Sequence, residues 1–400
     1  MSRKYIFFAA TILSLFCVSA ALAQSTTLIS APLNPEFVKY QNARKKGIVK
    51  AIRPGGHSLG ALPSPLDLSH DIGKKPIQKF IPVGYAVSYD LRSLGKVSTV
   101  KDQGQCGSCW TFATMAVLES RLLTGESWDF SENNLKDTSG FDLDPCLGGT
   151  NQMATAYLAR LSGPWTEAAD PYTETPGYYV PTYPSADRQK NIQEALFLPD
   201  RSGPTDNDNI KYALTTYGAV YTTIHADTGL ESDADSDYYN ATHSAYYDYG
   251  TENADHAVTI VGWDDTYNKT NFSATPPGNG AFIIKNSWGT TWGAGGYFYI
   301  SYYDTNIKNS TVYPTVNATT GYDWFYQTDP LGWTDQVGYG TTTGWFANRF
   351  MAGAGNTKVT QVSFYTTAMN ATYTVKVYRG VTTSPNTGTL MSTKSGTIPY

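Results

Sequence analysis

The stretch KDQGQCGSCWTF, Lys101 to Phe112, decides how this chain is read. Cys106 and Cys109 lie three positions apart, where a glycine-rich loop meets an apolar run. Such a pair can be a redox couple, half of a zinc site, or two thiols with unrelated tasks. The run CWTFATMAVLESRLLTG that starts at Cys109 reads as a helix. Trp110, Phe112, Ala113, Met115, Ala116, Val117 and Leu118 lie nearly all round its first three turns, so the helix is buried, with Gly125 as its stop. Cys109 stands at the helix start, where unpaired N–H groups and the positive dipole end favour a thiolate. Cys106, one turn earlier in the loop, has no such advantage.

A thiolate nucleophile needs an imidazole partner. Of five histidines, His57 and His70 lie in a Pro/Gly-rich segment, and His225 and His243 sit in polar or strand-like surroundings that suit ordinary surface or satisfied histidines. His256 opens DHAVTIVGW, directly before a strand that reads as buried, where a ring can be held rigidly. Asn286 ends the apolar strand of GAFIIKNSW. Its side-chain oxygen can accept from one imidazole nitrogen and fix the tautomer, and Trp288 can shield that bond from water.

The bulk composition sets the compartment. Only 16% of the 400 residues are charged, while 30 tyrosines and many Thr, Asn and Gly make a polar, uncharged surface suited to an exported protein. The net charge of −5 offers no basic stripe for nucleic acid. MSRK, the apolar run from Tyr5 to Ala20, and ALAQ read as a leader over residues 1–23, cleaved before Gln24. No later run is long enough to span a membrane. Cys17 leaves with the leader, so Cys106, Cys109 and Cys146 remain. In an oxidising compartment, one disulfide plus one free thiol is the simplest partition.

The three blocks QGQCGSCWTF, DHAVTIVGW and KNSWGTTWGAGGY together resemble the papain family of cysteine peptidases. The family signature is C-G-[SA]-C-[WY], with His and Asn roughly 130–150 residues downstream. His256 follows Cys109 by 147 residues; Asn286 follows by 177, the excess lying in the polar insertion DDTYNKTNFSATPPGNG, which reads as a surface loop. The resemblance implies Cys109 as nucleophile, His256 as general acid/base, Asn286 as its orienting partner, and the Gln103 amide as an oxyanion donor alongside the Cys109 N–H. It implies a Cys106–Cys146 disulfide, with Gly107, Gly148, Gly149, Asp255 and Trp288 lining the substrate cleft, and Thr150, Asn151 and Ala254 as pocket neighbours. Thr138 stands where the family often starts a second disulfide, so that bridge is absent. No metal and no cofactor is implied.

The resulting fold class is α+β: a papain-like two-lobe fold, with a helical lobe and a β-barrel-like lobe over residues 83–304. FSENNLKD, with Ser131 as N-cap, and TNQMATAYLARLSG supply further helices; GYFYISYY is a further strand. Residues 24–82, with a short helix in FVKYQNARKKG, lie where a prosegment would, shorter than most of that family. Residues 305–320 read as a polar linker. Residues 321–400 read as an all-β, sandwich-like region resembling a lectin-like domain, with strands in VTQVSFYT and ATYTVKVYRG and a strand-like run at the chain's last residue, Tyr400, where the domain is not yet complete. The function expected is a secreted or periplasmic cysteine-type peptidase, made as a zymogen. Its partners are a polypeptide substrate, its own prosegment as inhibitor, and a carbohydrate or cell-surface ligand for the C-terminal region. The competing readings are a thiol–disulfide oxidoreductase using Cys106 and Cys109, a Cys₃His zinc site, and a catalytically inactive peptidase-like binding protein. The calcium-like spacing of Asp233, Asp235 and Asp237 lacks the glycine and terminal glutamate of a calcium loop and reads as a solvated acidic loop.

Overall fold

A computed structural model describes residues 27–47, 57–75, 84–123, 125–227, 230, 232, 234–318, 324–353, 355, 357–366 and 368–398. The expected leader, with Cys17, as well as Asp233 and Tyr400, lies outside the described residues. The described residues begin with a two-residue strand, β1 (Ile29–Ser30), and the helix α1 (Pro35–Lys45). The Asn34 side chain accepts from the Glu36 N–H at the helix start, Pro35 occupies the first turn, and Arg44 and Lys45 face the negative end of the dipole. This is the short helix expected in that segment.

The strand β2 (Ser88–Asp90) precedes α2 (Cys109–Leu122), in which every residue but Arg121 is buried. Helices α3 (Glu132–Asp137) and α4 (Asn151–Ala159) flank it. Each is capped by a hydroxyl: Ser131 accepts from Asn134 N–H at 2.9 Å, and Thr150 accepts from Met153 N–H at 3.1 Å. These three helices share one apolar core, including Met115, Leu118, Phe130, Leu135, Tyr157 and Leu158.

The second half is a nine-stranded sheet. Its members are β2, β3 (Lys190–Phe197), β4 (Val220–Ile224), β5 (Tyr239–Asn240), β6 (Ala245–Tyr246), β7 (His256–Asp264), β8 (Ala281–Lys285), β9 (Tyr297–Ser301) and β10 (Lys308–Ala318), with α5 (Asp208–Tyr217) between β3 and β4. The order is β3-β10-β4-β7-β8-β9-β6-β5, and β2 pairs with β7. Strand β7 is buried on both faces, which is why it reads as an almost continuous apolar run. Gly262 lies where β2 crosses so closely that a β-carbon would meet the Tyr89 carbonyl at 2.2 Å.

Strand β10 corrects the linker expected over 305–320. It pairs with both β3 and β4, and its centre, Ser310 to Pro314, is buried. Its Asn/Thr composition hides it, because Thr and Val fit a pleated surface as well as a loop. Register shifts around Val312 and Thr315 accommodate Pro314. The insertion between β7 and β8 is the expected loop, pinned by the buried Phe272 against Ala245 and Ala281.

The C-terminal region carries β11 (Val337–Gly338) and the hairpin of β12 (Ala371–Arg379) with β13 (Thr389–Ile398). Half-buried Tyr373, Val375 and Val377 alternate with exposed Thr372, Thr374 and Lys376 in β12, as the sequence pattern requires. VTQVSFYT forms no strand, so among the described residues the expected sandwich is represented by this one hairpin.

Asp304, in the turn from β9 to β10, is buried and accepts N–H bonds from Asp248 and Asn306, each at 2.9 Å. Burial outweighs these donors and raises its carboxyl pKa to about 7. A folded-state value above the unfolded one stabilises below about pH 4 and is lost as pH rises through about 7. Asp304→Asn should therefore flatten the decline in urea-unfolding stability between pH 4 and 7; an unchanged slope would show that Asp304 does not drive it.

Candidate active site

The two halves meet where α2 faces β7. Cys109, the first residue of α2, is fully buried, and the Ala257 N–H points at its sulfur at 3.3 Å. His256 is the first residue of β7, held in register opposite Ile224 of β4. Asn286 directly follows β8, and its Oδ1 lies 2.8 Å from His256 Nε2. The same oxygen accepts the Ser287 N–H at 2.9 Å, so the amide is oriented with oxygen toward the ring. An amide oxygen can only accept, which places the proton on Nε2 and leaves Nδ1 as the basic nitrogen. The Trp288 ring stacks on His256 at 4.6 Å and 25°, closing this bond from solvent. His256 and Asn286 are thus in direct contact, and Ala257, the residue after His256, brings the start of β7 to Cys109.

Gln103 is buried beside them. Its Nε2 donates to the Ser58 carbonyl at 2.7 Å and to the Cys106 carbonyl at 3.0 Å. Ser287 Oγ donates to its Oε1 at 2.7 Å, which fixes the amide with nitrogen toward the cleft. Behind the loop, the Tyr172 hydroxyl donates to the Gln103 carbonyl at 2.7 Å and receives from Ser108 Oγ at 2.6 Å. Lys101 ties the start of the stretch to α3 through Glu132 at 2.9 Å. Ser287 and Tyr172 are functional neighbours that sequence reasoning missed. Ser287 is adjacent to Asn286, so its position is the available signal; Tyr172 carries none, because only folding brings it to the loop.

Cys106 and Cys146 form a disulfide, and Cys109 is the free cysteine among the described residues. The bridge fastens the Gln103–Cys109 loop to the segment that leads into Gly148 and Gly149. Gly107 N–H donates to the Cys146 carbonyl at 3.0 Å across the same junction. Thr150 is occupied as the cap of α4, and the Asn151 amide donates to Thr311 Oγ1 of β10 at 2.8 Å. The remaining histidines stand apart: His225 pairs with Asp248 at 2.8 Å, and His70 and His243 are exposed.

Residues Ser58 to Leu62 run through the cleft as extended chain. Gly149 N–H donates to the Gly60 carbonyl at 2.9 Å, Leu62 N–H to the Gly149 carbonyl at 3.0 Å, and Ala61 N–H to the Asp255 carbonyl at 2.9 Å. Ala61 and Gly149 form a parallel bridge. Contact is backbone on backbone: a β-carbon on Gly60 would lie 1.9 Å from the Gly107 carbonyl oxygen, and one on Gly148 would lie 2.6 Å from the Gly60 oxygen. His57, expected to be unremarkable, stacks on the outer face of Trp288 at 5.1 Å.

This cover reverses the expected state of the thiol. Burial pushes the Cys109 pKa up to about 12, against the lowering effect of N–H groups from Ala257, Gly60 and Trp110. The helix start does supply favourable dipoles, but without water they do not offset the cost of a buried anion.

Residues 85–315 match the profile of papain family cysteine proteases, and residues 325–400 match that of a lectin-like domain. A cathepsin L-like peptidase of Aedes aegypti is 32% identical over 233 residues, which is 56% of this chain and 62% of that protein. The cysteine endopeptidase Rep1 of Oryza sativa is 32% identical over 213 residues, 52% of this chain and 51% of that protein. The chain thus spans between half and two thirds of the length of these curated relatives. Among solved structures, the cysteine protease and lectin-like domains of Cwp84, a surface layer associated protein of Clostridium difficile, align with a TM-score of 0.59 at 26% identity. That alignment covers 73% of this chain and 62% of the other. Clostridial Cwp84 after propeptide cleavage aligns with a TM-score of 0.51 at 29% identity, covering 58% of each chain.

The disulfide closes a segment of 40 residues, a loop worth about 4 kcal/mol by chain-entropy reasoning. Replacing Cys106 and Cys146 together by alanine should lower unfolding stability by about that amount, measured by denaturant titration with Cys109 blocked; a loss under about 1 kcal/mol would show the loop is held by its other contacts.

Proposed function

This chain belongs to the papain family of cysteine proteases, and from that premise we propose that it is a cysteine peptidase made as an exported zymogen, with residues 27–75 as part of its prosegment. The observation that carries the reading is the Gln103 amide donating to a peptide carbonyl, that of Ser58, beside the one free thiol among the described residues. A substrate carbonyl in that place would accept the same hydrogen bond, and its oxygen would accept it more strongly once negative.

With the prosegment gone, water reaches Cys109 and the burial penalty falls. His256 takes the thiol proton at Nδ1, and the thiolate attacks the peptide carbonyl carbon, forming a C–S bond. The oxyanion is met by Gln103 Nε2 and the Cys109 N–H. The imidazolium then protonates the leaving amine as the C–N bond breaks, leaving a thioester. Water, deprotonated by His256, attacks the thioester; the carboxylate departs and the thiol is restored. Asn286 keeps the ring in the tautomer this sequence requires. Gly107, Gly148, Gly149, Asp255 and Trp288 offer the walls on which an extended polypeptide lies, as residues 57–62 do here.

Export rests on the leader-like residues 1–23 and on the surface-layer association of Cwp84. No helix among the described residues is long and apolar enough to cross a membrane. By likeness to lectin-like domains, residues 325–400 take a carbohydrate or cell-surface ligand.

In the processed enzyme, His256→Ala should abolish turnover of a peptide substrate while the thermal unfolding transition persists, and Gln103→Ala should lower kcat by on the order of 10²-fold. Full turnover in His256→Ala, or unchanged kcat in Gln103→Ala, would remove that residue from the site. In the full chain, Gly60→Ala cannot keep its contact with Gly107. Its Cys109 should be alkylated by iodoacetamide at neutral pH much faster than wild type. Equal rates would show that residues 58–62 do not guard the thiol.

A further inference from the structure

The first strand of the prosegment does not touch the cleft. β1 pairs antiparallel with β11, Ile29 opposite Gly338 and Ser30 opposite Val337. The ladder is extended by the Ala31 N–H, which donates to the Gln336 carbonyl at 2.8 Å. β11 lies inside the lectin-like region, residues 325–400. Ile29 and Val337 remain 56% and 64% exposed, so the contact is one of main chain with main chain, a strand added to a short open edge.

That edge is itself seated against the helical half and β3. Arg160 Nη1 donates to the Pro330 carbonyl at 3.1 Å, and buried Trp333 meets Phe197 of β3 edge-on. The position of β11 relative to the cleft is therefore set by contacts that do not involve the prosegment. From β1 the chain turns back on itself: Leu33 bridges to Leu66, the Asn34 N–H donates to the Pro65 carbonyl at 3.0 Å, and Glu36 pairs with Lys308 at 3.3 Å. Beyond the cleft, Gly73 N–H donates to the Asp200 carbonyl at 2.9 Å, and the Asn209 amide to the Lys74 carbonyl at 3.0 Å. The cleft segment 58–62 is thus held from both sides. On its own it makes backbone contacts around Gly60 and Ala61 and packs a single partly buried leucine, Leu59, against the apolar core. Anchors on both flanks keep it at high effective concentration over Cys109 each time it lets go.

We propose that the edge of β11 is a docking surface for this chain's own prosegment strand, so that the lectin-like region helps to keep the peptidase site closed. The inference rests on the reading of residues 27–75 as an inhibitory prosegment. Ala31→Pro removes the N–H donated to Gln336, and Gly338→Pro removes the N–H that faces Ile29 in the same antiparallel ladder. The experiment compares the rate of iodoacetamide alkylation of Cys109 in the full chain for wild type, each variant and the double variant. Losing one or two main-chain hydrogen bonds should speed labelling by about three- to tenfold in either single variant. The double variant should be no faster than the singles, because both break one ladder. Wild-type rates in both single variants would overturn the proposal. If the wild-type full chain were labelled as fast as the processed enzyme, the zymogen reading itself would fall, and this inference with it. Hydrogen exchange guards against a variant that merely unfolds the region: the Gly338 amide, which faces Ile29, should be protected in wild type and lose protection in Ala31→Pro, which leaves residues 325–400 untouched. Unchanged protection would also overturn the proposal.

Discussion

The contact of the Ala257 amide with the Cys109 sulfur, 3.3 Å across the junction of helix and sheet, is the point on which the rest of the molecule depends. A helix buried almost all round has to be enclosed, and the second half of the chain encloses it with β7. Because His256 is the first residue of β7, seating that strand against α2 brings its neighbour Ala257 onto the thiol. The placing of the start of β7 is thereby a by-product of packing: moving His256 away would mean opening an apolar interface that includes Cys109, Trp110, Ala113, Tyr221 and Ala257.

Around this junction every orientation is set by a second polar group. Asn286 fixes the tautomer of His256, Ser287 fixes the Gln103 amide, and Tyr172 fixes the carbonyl behind it. None of these bonds is strong by itself, each net contribution being on the order of 1 kcal/mol. Their value is that a buried amide or imidazole has few alternative partners, so the geometry is held before a substrate arrives. The covered form exploits the same site. The Ser58 carbonyl fills the donor of Gln103, and burial holds the Cys109 thiol neutral. On the proposed reading, latency and catalysis use one set of hydrogen-bond donors, exchanged between two peptide chains.

Much of this is legible in the order of residues. The buried helix, the strands at 256–264, 281–285 and 297–301, and the odd cysteine count follow from local pattern, because periodicity and composition report burial directly. Among the expectations that fail, two do so for clear physical reasons. The 308–318 strand is built from Asn and Thr, the composition of a linker; only its partners β3 and β4 show that Ser310 to Pro314 is interior. A helix start acidifies an accessible thiol, yet the Cys109 pKa is governed by what covers it, and residues 58–62 come from a Pro/Gly-rich segment that reads as extended chain without showing which residues meet the thiol.

Sequence alone therefore marked the candidates: a thiol at a helix start, a histidine at a strand start and an asparagine at a strand end by their immediate neighbours, and a glutamine in a glycine-rich loop by family resemblance. Local patterning is what a linear chain displays. Tertiary structure decided the rest. The Cys106–Cys146 bond, the supporting Ser287 and Tyr172 contacts, the passage of Gly60 over Gly107 and the pairing of β1 with β11 all join residues by distance in space. Backbone hydrogen bonds and close approaches between distant segments leave little trace in residue type, since a main-chain amide is the same whatever side chain it carries.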